Sequence, residues 1–412
     1  MNPFWWGVGI ENTSMPDLGV NELFMTRHQD HWQQDLLRAK RLGVQFIRYG
    51  LPWDMQHPEK DRFDWSWTDQ VMAFLAEIEL EVVWDLVHFG TPSWLANGFL
   101  NPDYPAEIAR YAKAFAQRYP QFQRYTPFNE PYICAFFRGG NGTWPPYGIT
   151  SGTFVQMLMP LIEGIRQTVK AIQEVRPEAQ FWLNDGADGF VTCDPALQDL
   201  ASELTQYRFL ALDLLLGKAD DQSWTAQFLS RHGIDPDWIS GFVQEPVQLD
   251  VIGLDYYPGS EHQIFQPTPD RPASDWGRRQ DYALDADPNP PGLGATLKLY
   301  FERYGKPVYV AETSSDRDQL DWLKYSVSEV ARVRSEGVEV LAYTWWPLFD
   351  HIDWNSGLTR LTGHVCPSGL YHLQGDLHRT KGEARDAFAL LTSHDPTDQG
   401  QPTFLFHPGV KP

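Results

Sequence analysis

The chain has 412 residues, with 54 acidic against 33 basic side chains and a formal charge of −21. That balance argues against nucleic acid and anionic membrane surfaces as partners, because both are held by Lys and Arg that displace counterions from phosphate. Apolar residues at 42% and charged residues at 21% describe a folded globular chain, and three cysteines are too few for a disulfide framework.

The opening Met1-Asn2-Pro3-Phe4-Trp5-Trp6 lacks the basic-then-apolar order of a signal peptide, and no run approaches the roughly 18 apolar residues of a membrane span. A soluble, cytoplasmic protein is expected. Short apolar runs then alternate with amphipathic stretches along the chain. Strands are expected at Phe4–Ile10, Phe46–Tyr49, Val82–Phe89, Phe122–Phe128, Phe181–Asn184, Val251–Tyr257, Val308–Ala311 and Val340–Trp346. Helices are expected at His28–Leu42, Trp67–Glu79, Pro105–Arg118, Thr153–Val175, Pro195–Leu216, Leu293–Tyr304, Gln319–Ser335 and Gly382–Leu391. The first of these places Trp32, Leu36 and Ala39 on one face and stops at Gly43.

Strand starts lie about 32 to 70 residues apart, which leaves room for one crossover helix and a loop each time. Eight strand–helix pairs predict an α/β fold, a closed (β/α)₈ TIM barrel forming a single domain over residues 1–412. An open doubly wound sheet is the alternative, but no Gly-x-Gly-x-x-Gly follows the first strand. Pro258–Pro291, rich in Pro, Asp and Arg without a steady period, reads as a long loop after strand six or a disordered insertion. Residues 393–412 read as a C-terminal extension.

Polar residues recur where these strands end: Arg48, His88, Asn129-Glu130, Asn184-Asp185, Tyr256-Tyr257, Glu312 and Trp345-Trp346. Barrel enzymes draw their chemistry from those ends. Glu130 and Glu312 close apolar strands, where a carboxylate is costly unless paired or functional. Two carboxyl groups facing one bond are what glycoside cleavage needs, and the 17 tryptophans either fill a rich interior or supply faces that stack on sugar rings. No metal or other cofactor is expected. The 12 histidines do not cluster at strand ends, and no Gly-rich phosphate loop lies near strands seven and eight.

Six motifs in chain order resemble glycoside hydrolase family 1. They are Phe4-Trp5-Trp6-Gly7, Arg48-Tyr49 with Trp53, His88 to Leu95, Phe128-Asn129-Glu130-Pro131, Asp250 to Tyr257, and Tyr343 to Trp354. The resemblance implies a retaining β-glycosidase acting on a β-glycoside or oligosaccharide, with Glu130 as acid/base and Glu312 as nucleophile. It implies further that Arg48 and Tyr257 hold Glu312, that Asn129 and His88 bind sugar hydroxyls, and that Trp346 floors the sugar site. The Trp346–Pro347 bond is expected to be cis.

Several positions depart from the family pattern. Thr313-Ser314 and Asp255 stand where the family has Asn-Gly and Asn, and Phe89-Gly90 replace Trp-Asp. The early Gln-containing motif is absent, with Glu11 and Asn12 the nearest candidates. Asp353, before Trp354, replaces the glutamate that grips the distal hydroxyls. One methylene shorter, it is expected to reach them poorly and to leave gluco-, galacto- and fucosides weakly discriminated. Two other readings stay open: a sugar-binding barrel without catalysis, and a glycosidase for a glycone other than glucose. Neither glycone, aglycone nor oligomeric state is legible.

Overall fold

The computed structural model describes residues 3–273 and 277–397. Eight parallel strands close a barrel in chain order: β1 Trp5–Gly9, β2 Phe46–Tyr49, β3 Glu81–Asp85, β4 Arg124–Thr126, β5 Gln180–Gly186, β6 Val251–Asp255, β7 Val308–Glu312 and β8 Val340–Trp345, which returns to β1. β6 (VIGLD) and β7 (VYVAE) are buried at every position, as parallel strands covered on both faces must be. Trp5 lies opposite Ala342 and Gly7 opposite Phe46, so β1 joins the last strand to the second.

The strand at Phe46–Tyr49 and the helices Leu293–Tyr304 and Gln319–Ser335 have the expected bounds. β3 does not. It stops at Asp85, and the apolar run continues into a loop where Phe89 adopts a left-handed φ of 69°. β4 is shortened to three residues, because Pro127 has no N–H to give the ladder. Two short helices, Trp224–Arg231 and Pro236–Gln244, were not expected; each starts at a side-chain cap, Ser223 and Asp235.

The chain divides into two compact units. The first spans Met1–Gly90, Val251–Pro258 and Pro291–Pro412. It contains a buried ion cluster in which Asp35 accepts from His28 at 2.9 Å and from Arg379 at 2.9 and 3.0 Å. That cluster ties the helix His28–Arg41 to the hairpin Tyr371–Gln374/His378–Lys381. The 393–412 extension lies mostly outside the described residues, but Asp395 pairs with Arg334 at 2.8 Å.

The second unit spans Thr91–Asp250 and Gly259–Pro290. Its long helix Ser151–Gln173 opens with a capping box between Thr150 and Thr153. Gly164 lets this helix meet the neighbouring helix Tyr104–Arg118 closely: a Cβ there would stand 2.7 Å from the Tyr104 ring. The expected loop after strand six carries two strands, Glu261–Phe265 and Ala283–Ala286, which pair with Gly189–Val191 into a small sheet. The period was hidden because each strand is only four or five residues long.

Candidate active site

β7 delivers Glu312 in a fully buried strand. The Arg48 guanidinium, from β2, contacts one carboxylate oxygen, and the Tyr257 hydroxyl donates to the other at 2.8 Å. Asp255 at the end of β6 stands in register opposite Glu312. Burial pushes the Glu312 carboxyl up; Arg48 and then His88 oppose this without cancelling it, so it remains above the ordinary glutamate range. Arg48 is itself buried, but Asp85 and Glu312 hold it charged.

Asp85 organises the other side. Its Oδ2 accepts from Arg48 Nη2 at 3.1 Å and from His88 Nδ1 at 2.8 Å. The His88 ring stacks on Trp346, with centroids 5.6 Å apart and planes 6° apart, and the Arg48 guanidinium lies 4.7 Å from the same indole. Gly9 makes this possible, since a Cβ there would stand 1.7 Å from Trp346 Cε3. The Trp346–Pro347 bond is cis.

Glu11 lies next to this stack. Its Oε1 accepts from the Thr13 amide at 2.9 Å and hydroxyl at 2.7 Å, and its Oε2 accepts from Trp346 Nε1 at 3.1 Å. His88 Nε2 lies 3.6 Å from Oε1, and His351 Nδ1 lies 3.9 Å from Oε2. Burial raises the Glu11 carboxyl, but His88, His351 and Thr13 outweigh it, and the group sits below its ordinary range. Burial lowers the His88 imidazole, yet Glu11 and then Asp85 leave it raised.

In the second unit, Glu130 follows β4 with φ 46°, and its amide donates to the Asn184 carbonyl at 3.2 Å. Asn129 accepts from Asn184 Nδ2 at 2.8 Å and offers its own amide to Glu130 at 3.4 Å. Asp185 receives the Tyr132 amide at 3.0 Å and the Gly186 amide at 3.0 Å, fixing the turn that begins the helix Pro131–Ala135. Gly186 leaves room beside the acid, because a Cβ there would meet Ile133 at 2.6 Å and Glu130 Oε1 at 3.4 Å.

Of the residues proposed from sequence, Glu11, Arg48, His88, Tyr257, Glu312 and Trp346 are linked by these contacts within the first unit. Asn129 and Glu130 adjoin within the second. Trp354 stands beside His351, with centroids 6.0 Å apart.

Asp353 is held by its own loop. Its Oδ1 accepts from the Thr362 hydroxyl at 2.7 Å and the His364 amide at 2.9 Å; its Oδ2 accepts from the Thr362 amide at 2.8 Å and the Gly363 amide at 3.0 Å. Four donors saturate a carboxylate. The side chain anchors the 359–364 loop, and its acceptor positions are filled there.

Asp85 and His351 escaped the sequence reading. Asp85 would have appeared among the strand-end residues had β3 been ended where its ladder ends. His351 has no sequence signal beyond its place two residues before Asp353.

A barrel whose strand ends carry a guanidinium-clamped buried glutamate beside a histidine–indole stack has the construction of a carbohydrate-cleaving hydrolase. The model of glycosyl hydrolase family 1 matches residues 21–381. The chain therefore belongs to glycosyl hydrolase family 1, and it is a glycoside hydrolase of the retaining β-glycosidase type. It is similar to β-glucosidase A of Thermotoga maritima, 20% identical over 365 residues, covering 82% of this chain and 81% of that one. A β-galactosidase of Sulfolobus acidocaldarius is 22% identical over 322 residues, covering 71% and 63%. The solved family 1 β-glucosidase of Thermotoga maritima superposes with a TM-score of 0.79 at 16% identity, covering 96% of this chain and 98% of that one. Among the described residues no helix is long and apolar enough to cross a membrane.

Proposed function

We propose that Glu312 is the nucleophile and Glu130 the acid/base of a β-glycosidase that takes hexopyranosides. The observation that carries this reading is the clamp on Glu312: one oxygen against Arg48, the other accepting from Tyr257 at 2.8 Å. Both partners favour the carboxylate and fix its lone pairs, which is what an attacking oxygen needs. Glu130 gives its proton to the leaving oxygen as the bond from C1 breaks and a C1–O bond to Glu312 forms. Water then adds at C1, loses its proton to Glu130 and releases Glu312. Asn129, His88, Glu11 and Trp346 bind the glycone, with Trp354 at the edge of that site.

A glycone other than glucose is the second reading. The withdrawal of Asp353 onto its loop favours it, because the usual hold on the distal hydroxyls is then made by other groups. Action in the cytoplasm fits three cysteines none of which forms a disulfide, as in a reducing compartment.

Glu312→Gly is the direct test. Turnover of nitrophenyl β-glycosides should disappear, and azide should restore cleavage with an inverted glycosyl azide as product. Proton NMR of the wild-type reaction should show the β-anomer first. An α-anomer formed first from a β-glycoside would overturn the assignment.

A further inference from the structure

We propose that His351, through Nδ1, is a glycone-binding residue that holds one distal sugar hydroxyl together with Glu11. The inference rests on the reading of the Glu11–His88–Trp346 cluster as the glycone site. His351 is 17% exposed at its side chain, yet its Nδ1 is shielded from solvent and has no hydrogen-bond partner among the described residues. A shielded, unpaired ring nitrogen is costly, and its burial here is explained if a ligand atom completes it. The other ring nitrogen, Nε2, lies 3.4 Å from the Ser368 hydroxyl, which can donate to it and leave the proton on Nδ1.

The separations suit a hydroxyl. His351 Nδ1 and Glu11 Oε2 are 3.9 Å apart, too far to bond each other directly. An oxygen about 2.8 Å from both would subtend an angle of roughly 90°, accepting from the imidazole and donating to the carboxylate. On the far side of Glu11, His88 Nε2 and Oε1 are 3.6 Å apart. Oε1 is already filled by the amide and hydroxyl of Thr13, so the acceptor position left open on Glu11 is on Oε2, which takes only Trp346 Nε1 and faces His351. Since Asp353 spends all four of its acceptor positions on its own loop, His351 supplies the distal contact that Asp353 does not.

The experiment compares wild type, His351→Ala and His351→Gln on nitrophenyl β-glucoside and on its 3-, 4- and 6-deoxy analogues. Relative to wild type, His351→Ala should raise KM for the parent glucoside about 10- to 100-fold while kcat changes less than about threefold. On the one analogue lacking the held hydroxyl, the penalty should shrink below about threefold, and His351→Gln should recover part of the loss on the parent. Equal penalties on all four substrates, or none on any, would overturn the proposal, the former marking His351 as merely structural. If wild type cleaves no glycoside, the glycosidase reading fails separately. Calorimetric binding of deoxynojirimycin then decides: at least a tenfold weaker Kd in His351→Ala supports the residue's role, and unchanged or undetectable binding to both proteins refutes it.

Discussion

One carboxylate oxygen, Oδ2 of Asp85, accepts from both Arg48 and His88. It couples the cation that clamps Glu312, the proposed nucleophile, to the His88 imidazole. Asp85→Asn keeps the shape but removes the charge and puts an N–H₂ among donors. A charged hydrogen bond is worth about 1.5–3 kcal/mol, so kcat/KM should fall roughly 10- to 150-fold, with the His88 imidazole losing part of its upward shift. A loss below about threefold would remove Asp85 from the machinery. Tyr257→Phe tests the other side of the clamp. The phenol donates to the charged form of Glu312, so its removal raises the carboxyl further. The acid limb of the kcat/KM–pH profile should then move to higher pH, since Glu312 must be ionised to act as the proposed nucleophile. A limb that stays put or moves down would mean that Tyr257 does not set the ionisation of Glu312.

At the scale of elements, the turn after Ile352 is built on Asp353, whose φ of 60° and four accepted hydrogen bonds shape the 359–364 loop. Asp353→Ala orphans three amides and a hydroxyl at once. We expect a loss of about 2–3 kcal/mol in denaturant unfolding. Asp353→Glu should destabilise as well and should not sharpen preference for glucosides. A glucoside-to-galactoside ratio of kcat/KM that rises more than tenfold in Asp353→Glu would restore the residue to the sugar site. β1 acts at the same scale. Gly9 is the floor beneath Trp346, and Gly9→Ala must push the indole away, at a cost of about 1–3 kcal/mol by overpacking alone. Activity should fall more steeply than stability, because the displaced ring is the one stacked on His88.

Across the whole molecule, burial leaves several carboxyls on opposite sides of their ordinary range. It raises Glu22, Asp54, Asp185 and Glu312, so between pH about 4 and 7 these groups bind more protons folded than unfolded, and their contribution to stability falls as pH rises. The raised His88 adds to this: its contribution is complete below its unfolded pKa of about 6.5 and is lost as pH climbs through the folded value. Asp35 and Glu11 run the other way. Burial opposes them, but their partners hold them depressed, so their stabilisation is present above about pH 4 and is lost on further acidification. Self-repulsion from the −21 charge also eases as pH drops. Tm should therefore peak near pH 5 and decline toward pH 8. A Tm that rises steadily from pH 5 to 8 at fixed ionic strength would contradict this balance.

What the sequence determined by itself is the repeating part of the protein. Runs such as Val308–Ala311 and the periodic helix Gln319–Ser335 declare themselves locally, because burial on both faces or on one stripe writes a fixed period into the chain. The two glutamates were legible for the same reason: a charge that ends an apolar strand is visible without knowing its neighbours. Tertiary structure alone decided which acids are free to act. Asp353 reveals its hold on a loop only once the amides of Thr362, Gly363 and His364 are folded onto it, and Asp85 looks like a strand residue until Arg48 and His88 converge on it from separate segments. A carboxylate's role depends on which donors reach its lone pairs, and here those donors are set by loop closure and by strands far apart in sequence, which no local pattern encodes.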